Sequence, residues 1–276
     1  MSFPQETLAI IPGAVPLHGV VHGCLEGCHP AWGLVFCDPF AEEKKCAHRV
    51  LVEAARLFCR ADIGSLRFDY RGTGDSPGEF AEATPDLWVK DIVAACAHLR
   101  DCMNVKTVGL LGLRLGASLA LQALQRHACA DFIVLWEPVI SGKQYLAQNL
   151  RRSLIKSMMT DEQKFDAEAV ASSRAQDCFD FDGYLISAQM QAQIDAIDLR
   201  ENVEAFRGPS LVVNIGTREQ PAEPYVTLAD TLGGRVAAVR QEPCWNRIGL
   251  IDPGPVVELT EIWLAEQQAS WLPDHQ

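Results

Sequence analysis

The sequence predicts an α/β protein with a mostly parallel sheet flanked by helices, and three observations predict this class. Short apolar runs alternate along the chain with stretches whose apolar residues recur at helical spacing. Gly112 and Gly116 bracket a sharp step from one such run into a helical stretch. Between residues 141 and 208 the strand pattern stops for longer than a plain loop allows, which indicates an insertion.

The first predicted helix follows a buried strand over residues 33–37. Residues 43–60 place Ala47 and Val50 on one apolar helical face, which indicates packing against the sheet. The apolar run at residues 65–68 predicts the next strand.

A capped helix begins at Thr84, where an N-cap threonine precedes Pro85 in the first helical position and Asp86 in the first turn. Later runs continue the alternation, with strands predicted over residues 105–111, 132–136, 210–215 and 236–239 and helices over residues 115–128 and 256–267.

These elements divide the chain into a core of residues 1–140 and 209–276 and a helical cap or lid of residues 141–208. The polar stretch Asp180-Phe181-Asp182-Gly183 lies in this insertion, among helical ones. Ligands of open α/β sheets bind outside the carboxyl ends of the strands. We therefore expect the cap to cover that edge and to decide which ligand enters.

Composition excludes several classes of partner. A chain of 276 residues with 48% hydrophobic content suits one large domain carrying an insertion. A net charge of −12 disfavours nucleic acid and anionic membrane surfaces. No apolar run is long enough to span a membrane, no secretory leader pattern opens the chain, and the ten scattered cysteines suit reduced thiols. These features predict a cytoplasmic protein, and no pattern indicates a cofactor.

The most informative motif is Gly112-Leu113-Arg114-Leu115-Gly116. A glycine-flanked turn of this kind bends a strand into a helix and lifts its middle side chain into the pocket. Here that side chain is Arg114. A guanidinium stays protonated and only donates hydrogen bonds, so it does not attack a carbonyl.

Four successive features together resemble the α/β-hydrolase superfamily, nearest its serine-aminopeptidase-like branch. They are the strand, the loop Phe68-Asp69-Tyr70-Arg71-Gly72-Thr73-Gly74-Asp75-Ser76, the capped helix and the glycine-flanked turn. The resemblance implies an α/β-hydrolase fold with a helical cap. It also implies that a serine nucleophile belongs where Arg114 stands.

Four segments are similar to the second type of exosortase A system-associated hydrolase. They are residues 38–43 (DPFAEE), the arginine-bearing turn, residues 135–144 (LWEPVISGKQ) and residues 243–245 (PCW). This resemblance implies an association with bacterial exopolysaccharide and protein sorting, and it adds Trp245 to the expected binding residues.

A catalytic triad in this superfamily runs in the order serine, acid, histidine. Glu219 follows a predicted strand and matches the acid position, although a solvated loop carboxylate explains it equally well. The base should follow the last strand, but between His127 and His275 the chain has no histidine. Nucleophile and base are therefore both replaced.

The oxyanion-hole donors are backbone amides, here expected from Leu115 and Phe40. With the helix N-terminus and the charge of Arg114 they predict an anion site for a carboxylate, a phosphate or an acidic sugar. The competing interpretation is that Asp38, Glu137 or Glu219, each just past a strand end, neutralises Arg114 internally.

Other nucleophiles are weaker candidates. Cys37 lies beside the acidic Asp38, which disfavours a thiolate, and Ser141 follows a strand end. Ser118 falls one turn inside a helix and suits packing.

Two further motifs carry structural interpretations. His22-Gly23-Cys24 with Cys28-His29 has loose spacing for a metal site, and an early β-hairpin explains it better. Arg71 and Asp75 are expected to hold a tight loop, so the Gly-rich stretch predicts no dinucleotide site.

Three functional hypotheses follow. The chain is a non-hydrolytic ligand-binding or scaffold protein for a small anionic or acyl ligand; or it hydrolyses an acyl ester or thioester with a non-standard nucleophile; or a second copy or another protein completes its site.

Overall fold

The structure is a computed structural model that describes residues 5–23, 30–159 and 178–271. Its main sheet has eight strands, and a two-stranded sheet lies apart from it. In chain order the strands are β1 (Gln5–Ile11), β2 (Leu17–Gly23), β3 (Trp32–Cys37), β4 (Ile63–Phe68), β5 (Thr107–Leu113), β6 (Phe132–Trp136), β7 (Cys178–Phe181), β8 (Tyr184–Ser187), β9 (Ser210–Gly216) and β10 (Arg235–Arg240).

The order of the main sheet is β1-β2-β4-β3-β5-β6-β9-β10. The six strands from β4 to β10 pair in parallel, which confirms the sheet expected through Leu34, Leu66, Val108, Ile133, Val212 and Val236. Strands β1 and β2 form an antiparallel hairpin at one edge. Strand β3 lies between β4 and β5, so the strand order reverses there and opens a crevice at the carboxyl ends.

Helices cover both faces of the sheet. Their bounds are α1 (Glu42–Arg60), α2 (Pro85–Met103), α3 (Leu115–His127), α4 (Gly142–Met159), α5 (Ala188–Asp195), α6 (Glu223–Leu232) and α7 (Gly254–Trp271), with a short 3₁₀ turn at Phe80–Glu82. One buried cluster joins the sheet to α2, α3 and α6, and the other joins it to α1 and α7. The sheet is therefore buried on both sides, as a parallel sheet requires.

Local signals placed α2 correctly. The Thr84 hydroxyl accepts a hydrogen bond from the backbone amide of Leu87 at 3.4 Å, and Pro85 begins the helix. Asn104 closes the helix in the left-handed conformation with a φ of 51°.

The segment between β6 and β9 contains α4, α5 and the β7–β8 hairpin. The polar stretch that ends at Gly183 was expected among helical segments, but it forms this hairpin. Asp182 and Gly183 have φ of 48° and 87°, the backbone of a tight hairpin turn, and Asp-Gly is the residue pair that such turns favour.

Two expectations about the whole chain, on its cysteines and on membrane spans, are compared here with the described ranges alone. Seven of the cysteines within those ranges are free thiols: Cys37, Cys46, Cys59, Cys96, Cys102, Cys129 and Cys244. No helix within those ranges is long and apolar enough to cross a membrane.

Candidate functional site

The turn between β5 and α3 holds Arg114 in a strained conformation, with φ of 56° and ψ of −123°. A Cβ on Gly112 would lie 2.3 Å from the Ala117 Cα, and one on Gly116 would lie 2.2 Å from the Cys37 carbonyl oxygen. Both glycines are needed because backbone approaches them closely. Arg114 is therefore at the predicted strand-to-helix elbow.

The guanidinium of Arg114 is packed on three sides. Its Nε and Nη2 both lie 3.4 Å from the Glu43 Oε1. Its central carbon lies 5.4 Å from the centre of the Tyr145 ring and 5.0 Å from that of Trp245, within the range of cation–π attraction. The arginine side chain is 14% exposed, so it fills the elbow instead of reaching into solvent.

Glu43 ties this cluster together. Its second carboxyl oxygen accepts a hydrogen bond from the Tyr145 hydroxyl at 2.9 Å. Burial raises the pKa of Glu43, while Arg114 and the Tyr145 hydroxyl oppose that rise. Burial lowers the pKa of Arg114, but Glu43 together with Tyr145, Glu137 and Tyr225 outweighs burial, and the net pKa is raised. We call Arg114, Glu43, Tyr145 and Trp245 the elbow cluster.

None of the three predicted partners forms an ion pair with Arg114. Asp38 pairs instead with Lys44 at 3.2 Å. The side chain of Glu219 is 85% exposed, and its nearest cation is Arg240 at 3.9 Å. Glu219 therefore lies on the surface and is not placed as a buried acid that orients a base.

Glu137, the third predicted partner, is held by its own donors. One carboxyl oxygen accepts from the Ile215 amide at 2.6 Å and from the Asn214 side chain at 2.8 Å, and the other accepts from the Tyr225 hydroxyl at 2.8 Å. Its backbone φ is 46°. With three donors, this carboxylate needs no ligand to satisfy it.

The loop after β10, in which the base was expected, places an indole beside Arg114. Trp245 lies in the loop after β10, where a histidine was expected, and it packs on the guanidinium. An indole N–H donates a hydrogen bond, but the indole does not accept a proton as a base would.

The predicted oxyanion donors lie at the edge of a cavity of about 470 Å³. Phe40 and Leu115 both line it, and their backbone amides have no acceptor among the described residues. Five of the sixteen residues that line it are aromatic: Phe40, Tyr70, Phe80, Trp88 and Tyr184. The cavity therefore combines an apolar, aromatic body with two free amides at one end.

Polar groups of the same cavity are largely paired. Lys44 contacts Asp38 and Asp69 and receives further support from Thr73 at 3.2 Å. Burial lowers the pKa of Lys44, but the two carboxylates outweigh it and raise the net pKa. This lysine therefore stays charged and does not act as a base.

Helix α1 separates this cavity from a second one. Ala41, Lys44, Lys45 and His48 recur at helical spacing and line the aromatic cavity. Glu42, Glu43 and Cys46 line a cavity of about 350 Å³ on the other side. The elbow cluster lies between the two.

Comparison with known proteins identifies the family of this chain. Residues 36–178 match the family model described as "Serine aminopeptidase, S33". The chain belongs to this family.

Solved structures of the same α/β-hydrolase fold extend over nearly all of the chain. Est1E from Butyrivibrio proteoclasticus, solved with ferulic acid, has a TM-score of 0.70 at 18% identity, covering 95% of this chain and 99% of its own. The proline iminopeptidase of Mycobacterium smegmatis has a TM-score of 0.61 at 16% identity, covering 96% and 99%.

A curated relative is also similar in sequence. It is an uncharacterized 31.7 kDa protein of the traX-finO intergenic region of Escherichia coli, 32% identical over 125 residues, which are 40% of this chain and 44% of that protein. The match therefore spans less than half of that relative's length.

The alternative nucleophiles of this serine-aminopeptidase-family chain are poorly placed. Cys37 is 1% exposed, and burial raises its pKa well above the ordinary value. Burial likewise raises the pKa of Cys244, beside the elbow cluster, to about 12. Ser141 begins α4 as a cap, accepting from the Gln144 amide at 3.4 Å, and the buried Ser118 donates to the Val139 carbonyl at 2.8 Å.

The two motifs given structural interpretations are held by internal hydrogen bonds. Arg71 grips the buried Asp91 through its backbone amide and its side chain, and the Asp75 amide donates to Asp69 at 2.9 Å, so the loop is held internally. The buried His22 accepts from Arg67 at 3.0 Å, and burial lowers its pKa to about 4.

The possible metal ligands Cys24, Cys28 and His29 lie outside the described residues. Within the described ranges no three ligating side chains come together.

Sequence reasoning missed Glu43 and Tyr145. Glu43 lies one helical turn before Ala47, in line with the buried stripe of α1, and a carboxylate there requires a buried partner. That position was the available signal. Tyr145 carried none, because its contact with Glu43 joins residues 102 positions apart.

Proposed function

We propose that this chain is a non-hydrolytic member of its family that binds a small acyl or anionic ligand in the aromatic cavity. The observation that carries the proposal is the elbow cluster. Acyl transfer needs a nucleophile that loses a proton to a base. Arg114 has no nucleophilic lone pair to offer, and Trp245 beside it accepts no proton.

The ligand class follows from the cavity. Aromatic walls favour a flat, apolar body, and the amides of Phe40 and Leu115 offer two donors to a carboxylate or a carbonyl oxygen at one end. The helix dipole of α3 favours a negative group at the same point. A planar aromatic acid meets both demands, and ferulic acid, which Est1E binds, is a suitable probe.

Calorimetric titration of ferulic acid into the whole protein tests this site. We expect the ring of Tyr184, which lines the cavity 4.9 Å from the Phe80 ring, to contribute directly. Tyr184→Ala should weaken binding roughly 3- to 10-fold. Leu185→Ala, one residue further along β8 and 43% exposed, is the matched control and should bind like the unchanged protein. Equal losses in both variants, or equal binding of the neutral coniferyl alcohol, would contradict the proposed site.

Ester or thioester hydrolysis with a non-standard nucleophile is the second candidate. The free amides of Phe40 and Leu115 favour it, since acyl transfer needs two such donors for an oxyanion and simple binding does not. A third proposal is that a second copy or another protein supplies the missing groups.

We also propose a biological setting and a location for this protein. The four segments similar to the second type of exosortase A system-associated hydrolase support a link to bacterial exopolysaccharide or protein sorting. The free thiols of the described residues support a cytoplasmic location.

A further inference from the structure

The second cavity, of about 350 Å³, has a lining different from that of the aromatic one. It lies between α1, α4, the β7–β8 hairpin and the loop after β10. Asn149 and Arg152 of α4 enter its wall one helical turn apart, and Trp245 and Asn246 face it from the loop. Its volume is within the range of small-molecule sites.

Arg152, one of two arginines in this wall, is held in place by neutral groups. Arg152 donates from Nη2 to the Asn149 Oδ1 at 2.9 Å and from Nη1 to the Asn246 Oδ1 at 3.2 Å. It forms no ion pair with a carboxylate among the described residues, although its charge is close enough to Glu43 to lower the pKa of that carboxyl. Two neutral amide oxygens thus hold the guanidinium in one orientation and leave its charge and its remaining N–H groups available.

The other charged groups of the cavity wall are satisfied. Glu42 pairs with Lys45 at 3.0 Å, Glu43 belongs to the elbow cluster, and Arg247 pairs with Glu242 at 2.5 Å. Asp182 is a further carboxylate of the wall and is not without a partner. Of the two arginines that line the cavity, Arg152 is therefore the one without an ion pair among the described residues, in a wall that also holds the carboxylates of Glu42, Glu43 and Asp182.

A buried donor lies beside it. Asn149 is 5% exposed, and its Nδ2 has no hydrogen-bond partner. The Tyr145 hydroxyl is nearby, and the Asn149 amide lowers the pKa of that phenol. The orientation of the amide is fixed, because its oxygen faces Arg152. A buried amide nitrogen without an acceptor is costly unless something binds to it.

We propose that this cavity is a second ligand site, which takes a small organic acid. Its carboxylate binds the free N–H groups of Arg152 and the Asn149 Nδ2, and its body lies between Trp245 and Asn246. A planar guanidinium with an adjacent amide donor matches the two oxygens of a carboxylate. The site is separate from the aromatic cavity and does not depend on the function proposed for it.

Titration calorimetry at constant ionic strength tests the second site, with glucuronate as the probe and glucose as its neutral counterpart. The whole protein should bind glucuronate and not glucose. Arg152→Met should weaken glucuronate binding about ten- to a hundredfold, the effect of losing charge-assisted hydrogen bonds. Asn149→Leu, of similar size, should also weaken it. Arg151→Met is the matched control, because Arg151 is exposed and does not line the cavity.

Three results would overturn this proposal. They are no measurable binding of glucuronate to the unchanged protein, equal binding of glucose, or equal losses in Arg151→Met and Arg152→Met. Tyr184→Ala should leave glucuronate binding unchanged, so failure of the aromatic site and failure of this site give different results.

Discussion

Replacing Arg114 by methionine should destabilise the protein by about 3 kcal/mol, because the substitution leaves the Glu43 carboxylate buried without its charged partner. The Glu43 side chain is 7% exposed, so water replaces little of the lost interaction. Urea unfolding measures the change. The loss should be smaller at pH 5 than at pH 8. Burial already raises the pKa of Glu43, so its protonated form favours the folded state at low pH, and this advantage is lost as pH rises through the folded pKa.

A double-mutant cycle separates the ion pair from general packing. Arg114→Met with Glu43→Leu should cost clearly less than the sum of the two single changes. Arg126→Met is the matched control, since Arg126 pairs with Asp86 at 2.7 Å while both side chains are 51% exposed. That change should cost less than about 1 kcal/mol. Additive single changes, or equal losses for Arg114→Met and Arg126→Met, would show that the elbow cluster is not a coupled ion pair.

Replacing Gly116 by alanine should have a comparable or larger effect. The added Cβ would lie 2.2 Å from the Cys37 carbonyl oxygen and 2.3 Å from that of Asp38, both backbone atoms at the end of β3. Backbone does not yield as a flexible side chain does, so we expect a loss of about 3 kcal/mol or no folded protein.

Gly216→Ala is the control for this change. It lies at the end of β9 with no atom within 4 Å of the added Cβ, and it should change the free energy of unfolding by less than about 0.5 kcal/mol. Similar melting temperatures for the two variants would contradict the close approach at the elbow.

Much of the fold was predictable because its signals are local. Thr84 and Pro85 mark a helix start wherever they occur together, and the apolar run at residues 132–136 matches β6 residue for residue. Buried parallel strands carry continuous apolar runs, so strand positions follow from short windows of sequence. The Asp182-Gly183 turn was equally local, but the long insertion around it favoured a helical interpretation.

The site was less predictable, because its contacts join distant parts of the chain. The sequence indicated that Arg114 stands at the elbow and that an internal carboxylate is one way to satisfy it. Asp38, Glu137 and Glu219 all follow strand ends, whereas Glu43 lies in the buried stripe of α1, and no local pattern shows which of them reaches Arg114, 71 residues from Glu43. The choice among four carboxylates depends on tertiary packing.

The central claim is that the elbow has lost acyl-transfer chemistry, and labelling with a fluorophosphonate probe, read by intact-protein mass, tests it most directly. We predict no added mass and no turnover of short-chain nitrophenyl esters above a matched blank. Arg114→Ser should behave in the same way, since the new hydroxyl would have no base. Probe attached to Ser141, or ester turnover that iodoacetamide blocks at Cys37, would contradict the claim and establish hydrolysis through a different nucleophile.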